Sequence, residues 1–537
     1  MVDTEVLIIG AGPVGLTAAI ELARRGVDCR IVEALSEPPQ YAKAVGIQPR
    51  TLEVFEGSGV LRQVLDASIQ LRGQLVYLDG AEAARMELTL PADVPYGFIG
   101  LPQYETERIL RERLASMGTR VERGTKLTTF EQDDAGVAAV LADADGERTV
   151  RAHYLVGCDG AHSVVRKTLG LSFEGAAFAE QYMLGDVELD WSLPRGYGVR
   201  SMRQTDGVTS DLLVCIPLPG HRRYRVSTLV PAELAGTTSA DNVEHGFEGG
   251  RKPELRHIQA VLDRLAPEPA TASNLRWSSV FKISHRIVDS YCRGRVFVAG
   301  DAAHIHPPTG ARGMNTGIQD AHNLAWKLAL AVTGDGASGL PESYDAERRP
   351  VGVEVVGRTV RSAREGIGAG ESDPDYVIQR EAQLLIDYGD SPIVANSADG
   401  SAGPRAGGRA PDATGLTRDA VTSAFRLFSL LGRTNHTTLL YADAGTGAEA
   451  IGALESLADA ARRTAHGQMD VYLVAAPGAE VDGTVLPVIR DDESKFAHAY
   501  SAKGGAAYVV RPDGYLGYAR HAASAEDLAK YLGSTFS

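Results

Sequence analysis

The sequence predicts an α/β protein. Its first unit is a parallel sheet gathered from distant stretches of chain, broken by a mainly antiparallel sheet, and a smaller α/β unit follows. Three observations predict this. Residues 5–9 are a β run that passes directly into Gly10-Ala-Gly12-Pro13-Val-Gly15 and an apolar-periodic helix. A second apolar run, 154–158, stops on Asp159-Gly160, and a third, 296–299, stops on Gly300-Asp301. These last two runs each end on a glycine and an acid, ahead of a helix start.

The helix over 16–25 is closed by Gly26, and the next strand, 29–32, ends on Glu33. The order β, GxGxxG, α, β, acid binds an adenine dinucleotide. Gly10 and Gly12 permit the turn and the close approach of backbone to pyrophosphate, Gly15 permits tight packing of helix on strand, and Glu33 takes the ribose hydroxyls. The bland alternative is a glycine-rich turn without ligand, but strand, helix and acid are all present around the glycines. An acid at position 33 points to an unphosphorylated ribose, hence NAD or FAD rather than NADP.

Beyond Asp159-Gly160, Ser163 is suited to cap the following helix, and Arg166 to anchor Asp159 or a phosphate. An Asx-type turn accounts for Asp159-Gly160 alone, and less well for the whole DGxxSxVR string. Asp301, at the end of the third strand, is placed to accept hydrogen bonds from polyol hydroxyls. A Pro/Gly loop with Pro307 and Pro308 follows, and a helix begins near Asn315. Backbone N–H groups of Gly313, Met314 and Asn315 at that helix start can hold an anionic ring edge. A flavin offers both partners, a ribityl chain and an N1–C2=O edge that becomes negative on reduction.

A chain of 537 residues implies about two to four domains. The formal charge of −15, with no basic run, disfavours nucleic acid and anionic membrane as partners. No stretch resembles a signal peptide or reaches membrane-spanning length. Four scattered cysteines, Cys29, Cys158, Cys215 and Cys292, without metal spacing, fit reduced thiols in a cytoplasm. His304 and His306 have no third ligand at suitable spacing, so no metal is expected.

With its three motifs in this order, the chain resembles the class A FAD-dependent monooxygenases, the single-component aromatic hydroxylases. The match extends to residues 44–53, 103–110, 320–328 and 344–350. The resemblance implies that the amino-terminal glycines with Pro13 take the FAD pyrophosphate. It implies that Gln103 contacts the ribityl–phosphate region and that Asp301 takes the ribityl chain. Asp159-Gly160 would serve both FAD and a transient NADPH or NADH. Gln48 and Arg50 would lie beside flavin and active site, and Pro307 and Pro308 would wall the flavin C4a position. Arg50, Pro307, Pro308, Gly313 and Met314 are the candidate catalytic residues. Many members carry Gly or Gln where this chain has Ala311 and Arg312, which leaves the role of Arg312 open between a cation near the flavin and a solvent-facing side chain.

The implied reaction is hydroxylation of a phenolic or polycyclic aromatic, including polyketide-derived, substrate. NAD(P)H reduces FAD, O₂ adds at C4a, and the hydroperoxide hands oxygen to the ring. The alternatives are a non-hydroxylating flavin oxidoreductase on the same fold and a non-catalytic FAD-binding scaffold. The expected partners are an aromatic small molecule, O₂ and a second copy of the chain. No residue stands out as a base for deprotonating a phenol; Tyr96, Tyr224 and His285 are the pocket candidates.

The resulting division is a split Rossmann-like FAD-binding domain (1–73, 102–183 and 283–360), an inserted, mainly antiparallel substrate domain (74–101 and 184–282), a helical connection and linker (361–408), and a domain over 409–537. Helices are expected over 350–364 and 376–388, and a Gly-rich linker over 399–408. The last domain looks thioredoxin-like, as in phenol-hydroxylase-type members, but it contains no cysteine.

Overall fold

The computed structural model describes residues 2–537 except 41–42, 207, 236–245, 248–251, 366–370, 396–402 and 433. Its first sheet runs in the order Val121–Arg123, Cys29–Glu33, Thr4–Ile9, Gly146–Gly157, Val296–Val298, Cys292–Arg293. All but the last pairing along this path are parallel, and the strands carry apolar residues on both faces, as a sheet covered on both sides requires. Register does the important work: Ile9 lies opposite both Val32 and Gly157, and Gly157 opposite Val298. Four strands therefore finish side by side, and the residues that follow them emerge along one edge.

Helix Pro13–Ala23 starts earlier than its apolar pattern indicates, because the fixed φ of Pro13 suits a first helical turn. It packs against helix Arg312–Thr333, which starts at Arg312 rather than near Asn315. Their approach needs two glycines. A Cβ on Gly300 would come within 2.8 Å of Val14 Cγ2, and one on Gly317 within 2.7 Å of the same atom.

The second sheet is dominated by two antiparallel strands, Phe173–Asp190 and Thr271–Val288. Both run from the first sheet's surroundings into the second unit, so boundaries drawn at 183/184 and 282/283 fall inside continuous strands. Arg223–Leu229, Val208–Pro217 and Tyr197–Thr205 follow in antiparallel order. Gly73–Leu78 then adds in parallel, and Ala81–Glu87 forms the edge. Helix Leu255–Leu265 covers one face with Ile258, Val261, Leu262 and Leu265. The opposite face looks back at the first unit, where Ile216 packs against Val45 and Leu218.

The third sheet has three parallel strands, His436–Ala442, Met469–Ala475 and Val488–Arg490, flanked by the antiparallel pair Ala507–Val510 and Leu516–Arg520. Helices Ala448–Thr464 and Ala525–Leu532 pack together over it. Between the units, helix Ser343–Glu365 begins well before residue 350 and carries Pro350 within it. The helix expected over 376–388 is shorter, Pro374–Glu381, because Asp373 caps its start and Gln383 turns left-handed at φ 59°. Part of the expected linker, 399–402, lies outside the described residues. The remainder is not free: Gly407 N–H donates to Leu516 O at 2.6 Å, and Leu516 N–H to Gly408 O at 2.9 Å. Among the described residues no helix is long and apolar enough to cross a membrane.

Candidate cofactor and active site

A cavity of about 310 Å³ opens at the carboxyl edge of the first sheet, lined among others by Gly10, Gly12, Glu33, Gln103, Asp159 and Gly160. Residues remote in sequence meet here because their strands end in register. The three amino-terminal glycines have different reasons to be glycine. Gly10 sits at φ 99°, and a Cβ there would lie 2.4 Å from Cys158 O. A Cβ on Gly15 would lie 1.9 Å from Gly10 O, whereas one on Gly12 meets nothing within 4 Å. Gly10 and Gly15 are therefore demanded by the protein itself, and Gly12 leaves clear space before the first N–H groups of helix Pro13–Ala23.

Around this space the polar groups are only partly satisfied. Glu33 accepts the Ala11 N–H at 2.9 Å and the Leu35 N–H at 3.0 Å, leaving further lone pairs on both oxygens. Gln103 accepts the Ala44 N–H at 3.0 Å and donates to Glu107 at 2.9 Å. Asp159 accepts the N–H groups of Val164 and Val165 through Oδ2, at 2.7 and 3.1 Å, while its buried Oδ1 has no partner among the described residues. Burial pushes this carboxyl up. Ser163 caps helix Val164–Thr168 by accepting the Arg166 N–H at 2.9 Å. Arg166 does not anchor Asp159: its guanidinium donates to Ala302 O at 3.1 Å and Ala161 O at 2.7 Å and lies over the Phe173 ring. Burial pushes the Cys158 thiol up, so it offers no thiolate.

Asp301 follows the third strand in a short 3₁₀ turn, and Lys43 Nζ donates to its Oδ2 at 2.6 Å. Behind it lies a buried support. Asp320 accepts from Gly300 N–H at 3.2 Å, pairs with His304 Nε2 at 2.8 Å and accepts from Arg348 Nε at 2.8 Å. Burial alone would raise the Asp320 carboxyl; Arg348 and His304 hold it below the usual range. The next helix is introduced by Gly310 at φ 75° and Ala311 at φ 54°, a left-handed alanine that marks local strain. Asn315 clamps this turn to the strand at Gly46–Ile47. It donates to Gly46 O at 3.0 Å and Ala311 O at 2.6 Å and accepts Gln48 N–H at 3.0 Å. Gln48 donates to Gly310 O at 2.9 Å. The N–H groups of Gly313 and Met314, in the first turn of the helix, have no intrahelical acceptor.

Two arginines are held by carboxylates in the interior. Arg50 is fully buried; it donates to Glu53 at 2.5 Å and to Asp513 O, and lies 4.7 Å from the Tyr515 ring centroid. This guanidinium fastens the first unit to the third. Arg312 neither faces solvent nor stands as a free cation, because Glu381 pairs with it in the interior. Pro307 is buried and Pro308 exposed. His306 accompanies Pro307, its Nδ1 2.8 Å from Pro307 O, and burial with the neighbouring His304 pushes its pKa down to about 4. Of the pocket candidates, Tyr96 takes a hydrogen bond from Arg426, Tyr224 packs edge-on against Trp191, and His285 meets the Phe178 ring.

Sequence reasoning missed Lys43, Arg123 and Asp320. Lys43 and Arg123 are single cations outside any motif, and nothing local marks them. Asp320 had a signal, an acid inside an apolar helix, which is rarely buried without a cation. Arg123 lines the cavity with a buried Nη1 that has no partner among the described residues. An open approach at Gly12, an unpartnered carboxylate oxygen and an unpartnered guanidinium nitrogen together fit a long polar ligand with hydroxyls and phosphates. A second cavity, of about 240 Å³ between Pro91 and Leu384, contains none of the motif residues.

Residues 3–359 match the family described as FAD binding domain. The chain is 31% identical over 549 residues to 6-methylpretetramide 4-monooxygenase of Streptomyces rimosus, covering 95% of this chain and 90% of that protein. It is 33% identical over 541 residues to pentachlorophenol 4-monooxygenase of Sphingobium chlorophenolicum, covering 96% and 93%. Among solved structures it resembles the ternary complex of aklavinone-11 hydroxylase with FAD and aklavinone, with TM-score 0.76 and 25% identity over 99% of this chain and 98% of that one.

Proposed function

The chain belongs to the FAD-binding-domain family of FAD-dependent aromatic monooxygenases, and from that footing we propose that it uses NAD(P)H and O₂ to hydroxylate a phenolic or polycyclic aromatic compound. The observation that carries this reading is the single sheet edge at which Gly10, Glu33, Asp159 and Asp301 follow strand ends, with helix Arg312–Thr333 starting beside it. The reaction balances as aromatic C–H plus O₂ plus NAD(P)H plus a proton, giving the phenol, NAD(P)⁺ and water.

When bound, FAD supplies the two-electron chemistry and the activation of O₂. The protein's part is to bind, orient and shield. The helix start at Gly12 and Pro13 receives the pyrophosphate, Glu33 the ribose hydroxyls, Asp159 and Gln103 the middle of the cofactor, and Asp301 with Lys43 the ribityl chain. The Gly313 and Met314 N–H groups, without intrahelical acceptors in the first turn of the helix, would hold the flavin edge that is negative in the reduced cofactor. Buried Pro307 and the sheet face around Ile216 keep water from the reacting ring. Arg50 is assigned to the docking of the third unit rather than to chemistry.

The domain division of this reading keeps a discontinuous FAD-binding unit, an inserted substrate sheet and a thioredoxin-like tail. Three parallel strands with an antiparallel pair support the last label, and without cysteine its role is packing. The test is direct. Purified protein should be yellow, and a panel of polycyclic phenols should contain members that accelerate NAD(P)H oxidation with matching O₂ uptake; reduction without O₂ uptake under every substrate would sink the reading.

A further inference from the structure

The sheet face that looks toward Asn315 carries more positive charge than it can balance. On strand Arg223–Leu229, Arg223 and Arg225 project to the side opposite helix Leu255–Leu265, and Arg200 joins them through the register Arg200–Val214–Ser227. Two carboxylates of the neighbouring strand lie opposite them in register: Glu188, across from Arg223, is taken by Asn274 and Arg276, and Asp186 lies across from Arg225. Arg223 occupies Asp186, with Nε at 2.7 Å from Oδ1 and Nη2 on Oδ2, and also donates to Tyr104 OH at 3.2 Å. Arg200 meets the Met202 sulfur, at 3.3 Å. Arg225 is 3% exposed, yet among the described residues its buried Nε and Nη2 have no hydrogen-bond partner.

A buried guanidinium is costly unless it is paired, so an unpaired one is an unusual expense for a folded chain. The Trp277 ring, 4.9 Å from Arg225 Cζ, offsets part of that cost and holds the guanidinium plane in place. Arg225 lies across from Ile216, which packs against Val45; the next residue, Gly46, is held by Asn315 at the helix start. The unpaired N–H groups thus lie buried on the sheet face that is turned toward this helix start. Around them are apolar and aromatic side chains of the same face, Leu184, Trp277 and Phe281.

We propose that Arg225 is the specificity-determining residue of this site: its free N–H groups receive an anionic oxygen of the substrate, a carboxylate or an ionised phenol, and select acidic polycyclic aromatics over neutral ones. The inference rests on the monooxygenase reading for the identity of the site.

The test uses the FAD-loaded protein, calorimetric binding, and three probes of one ring system: 4,5-dihydroxyanthraquinone-2-carboxylate, its 2-hydroxymethyl counterpart, and the dimethyl ether of that counterpart. The wild type should prefer the carboxylate. Arg225→Met should weaken that probe by about ten- to a hundredfold, the range of a charge-assisted hydrogen bond, and leave the dimethyl ether within about twofold. Arg225→Lys should retain part of the preference. If the hydroxymethyl compound binds as well as the carboxylate, and both far better than the ether, the anionic oxygen is the phenol. Melting of the probe-free protein separates selection from structure, since removing an unpaired buried charge should not lower the melting temperature. Equal binding of all three probes, no binding of any, a preference that survives Arg225→Met, or a marked loss of stability in that variant would each overturn the proposal. A wild-type protein that takes up no FAD strikes the monooxygenase reading instead, and is recorded separately from its absorption spectrum.

Discussion

His436 sits between Trp326 and Phe536, with ring centroids at 5.2 and 5.0 Å and a buried Nε2 that has no partner among the described residues. Burial pushes its pKa down to about 3 from an ordinary 6.5. The unfolded chain therefore takes up a proton below pH 6.5 while the folded chain does not, and this residue subtracts stability as pH falls. The slope is about 1.4 kcal/mol per pH unit, so roughly 2 kcal/mol is lost by pH 5. His436→Phe should narrow the difference between melting temperatures at pH 7.5 and pH 5; an unchanged difference would mean that the imidazole does not contribute. Residues tied to strand ends, such as Glu33, Asp159 and Asp301, were legible in the sequence because strand, glycine and acid are local. Arg50 was not, since its acceptor Asp513 is 463 positions away. Arg225 was equally invisible: an alternating strand gives no hint that Asp186 is already taken by Arg223.

At the scale of elements, the turn from Thr4–Ile9 into Pro13–Ala23 separates what folding needs from what binding needs. Gly12→Ala meets nothing within 4 Å and keeps an ordinary φ of −73°. FAD-free protein should melt within about 0.5 kcal/mol of wild type, as for an unobstructed surface change, while FAD affinity falls. Gly15→Ala places a methyl 1.9 Å from Gly10 O, so helix and strand must separate and folded yield should fall. Unimpaired FAD binding by Gly12→Ala would remove the pyrophosphate from this turn. The parallel strands were legible as apolar runs ending on glycine. Helix limits were less so: the start at Arg312 depends on Ala311 in a left-handed conformation, which sequence disfavours. The end at Glu381 depends on Gln383 doing the same.

Across the whole molecule, the third unit is fastened to the first by buried charge. Glu347 accepts from Lys327 at 2.8 Å and from Arg511 at 2.6 and 2.8 Å, while Asp513 accepts from Arg511, Asn323 and Trp326. Burial pushes the Lys327 amine down to about 8; burial also opposes Glu347, but Arg511 and Lys327 hold its carboxyl below the usual range. Removing one member of such a set leaves a buried charge uncompensated, so Arg511→Met should cost about 3–5 kcal/mol in chemical denaturation. A loss below about 1 kcal/mol would mean that the units are held by apolar packing alone. The sequence made both units readable but not their junction, because the RPDG turn at 511–514 looks like a surface turn until Glu347 and Arg50 are seen against it. The central claim concerns the cofactor edge and the oxygen chemistry it supports. Turnover of a stimulating aromatic substrate under ¹⁸O₂ tests it most directly: the account predicts one labelled oxygen atom in the hydroxylated product, and an unlabelled product from a competent turnover would contradict it.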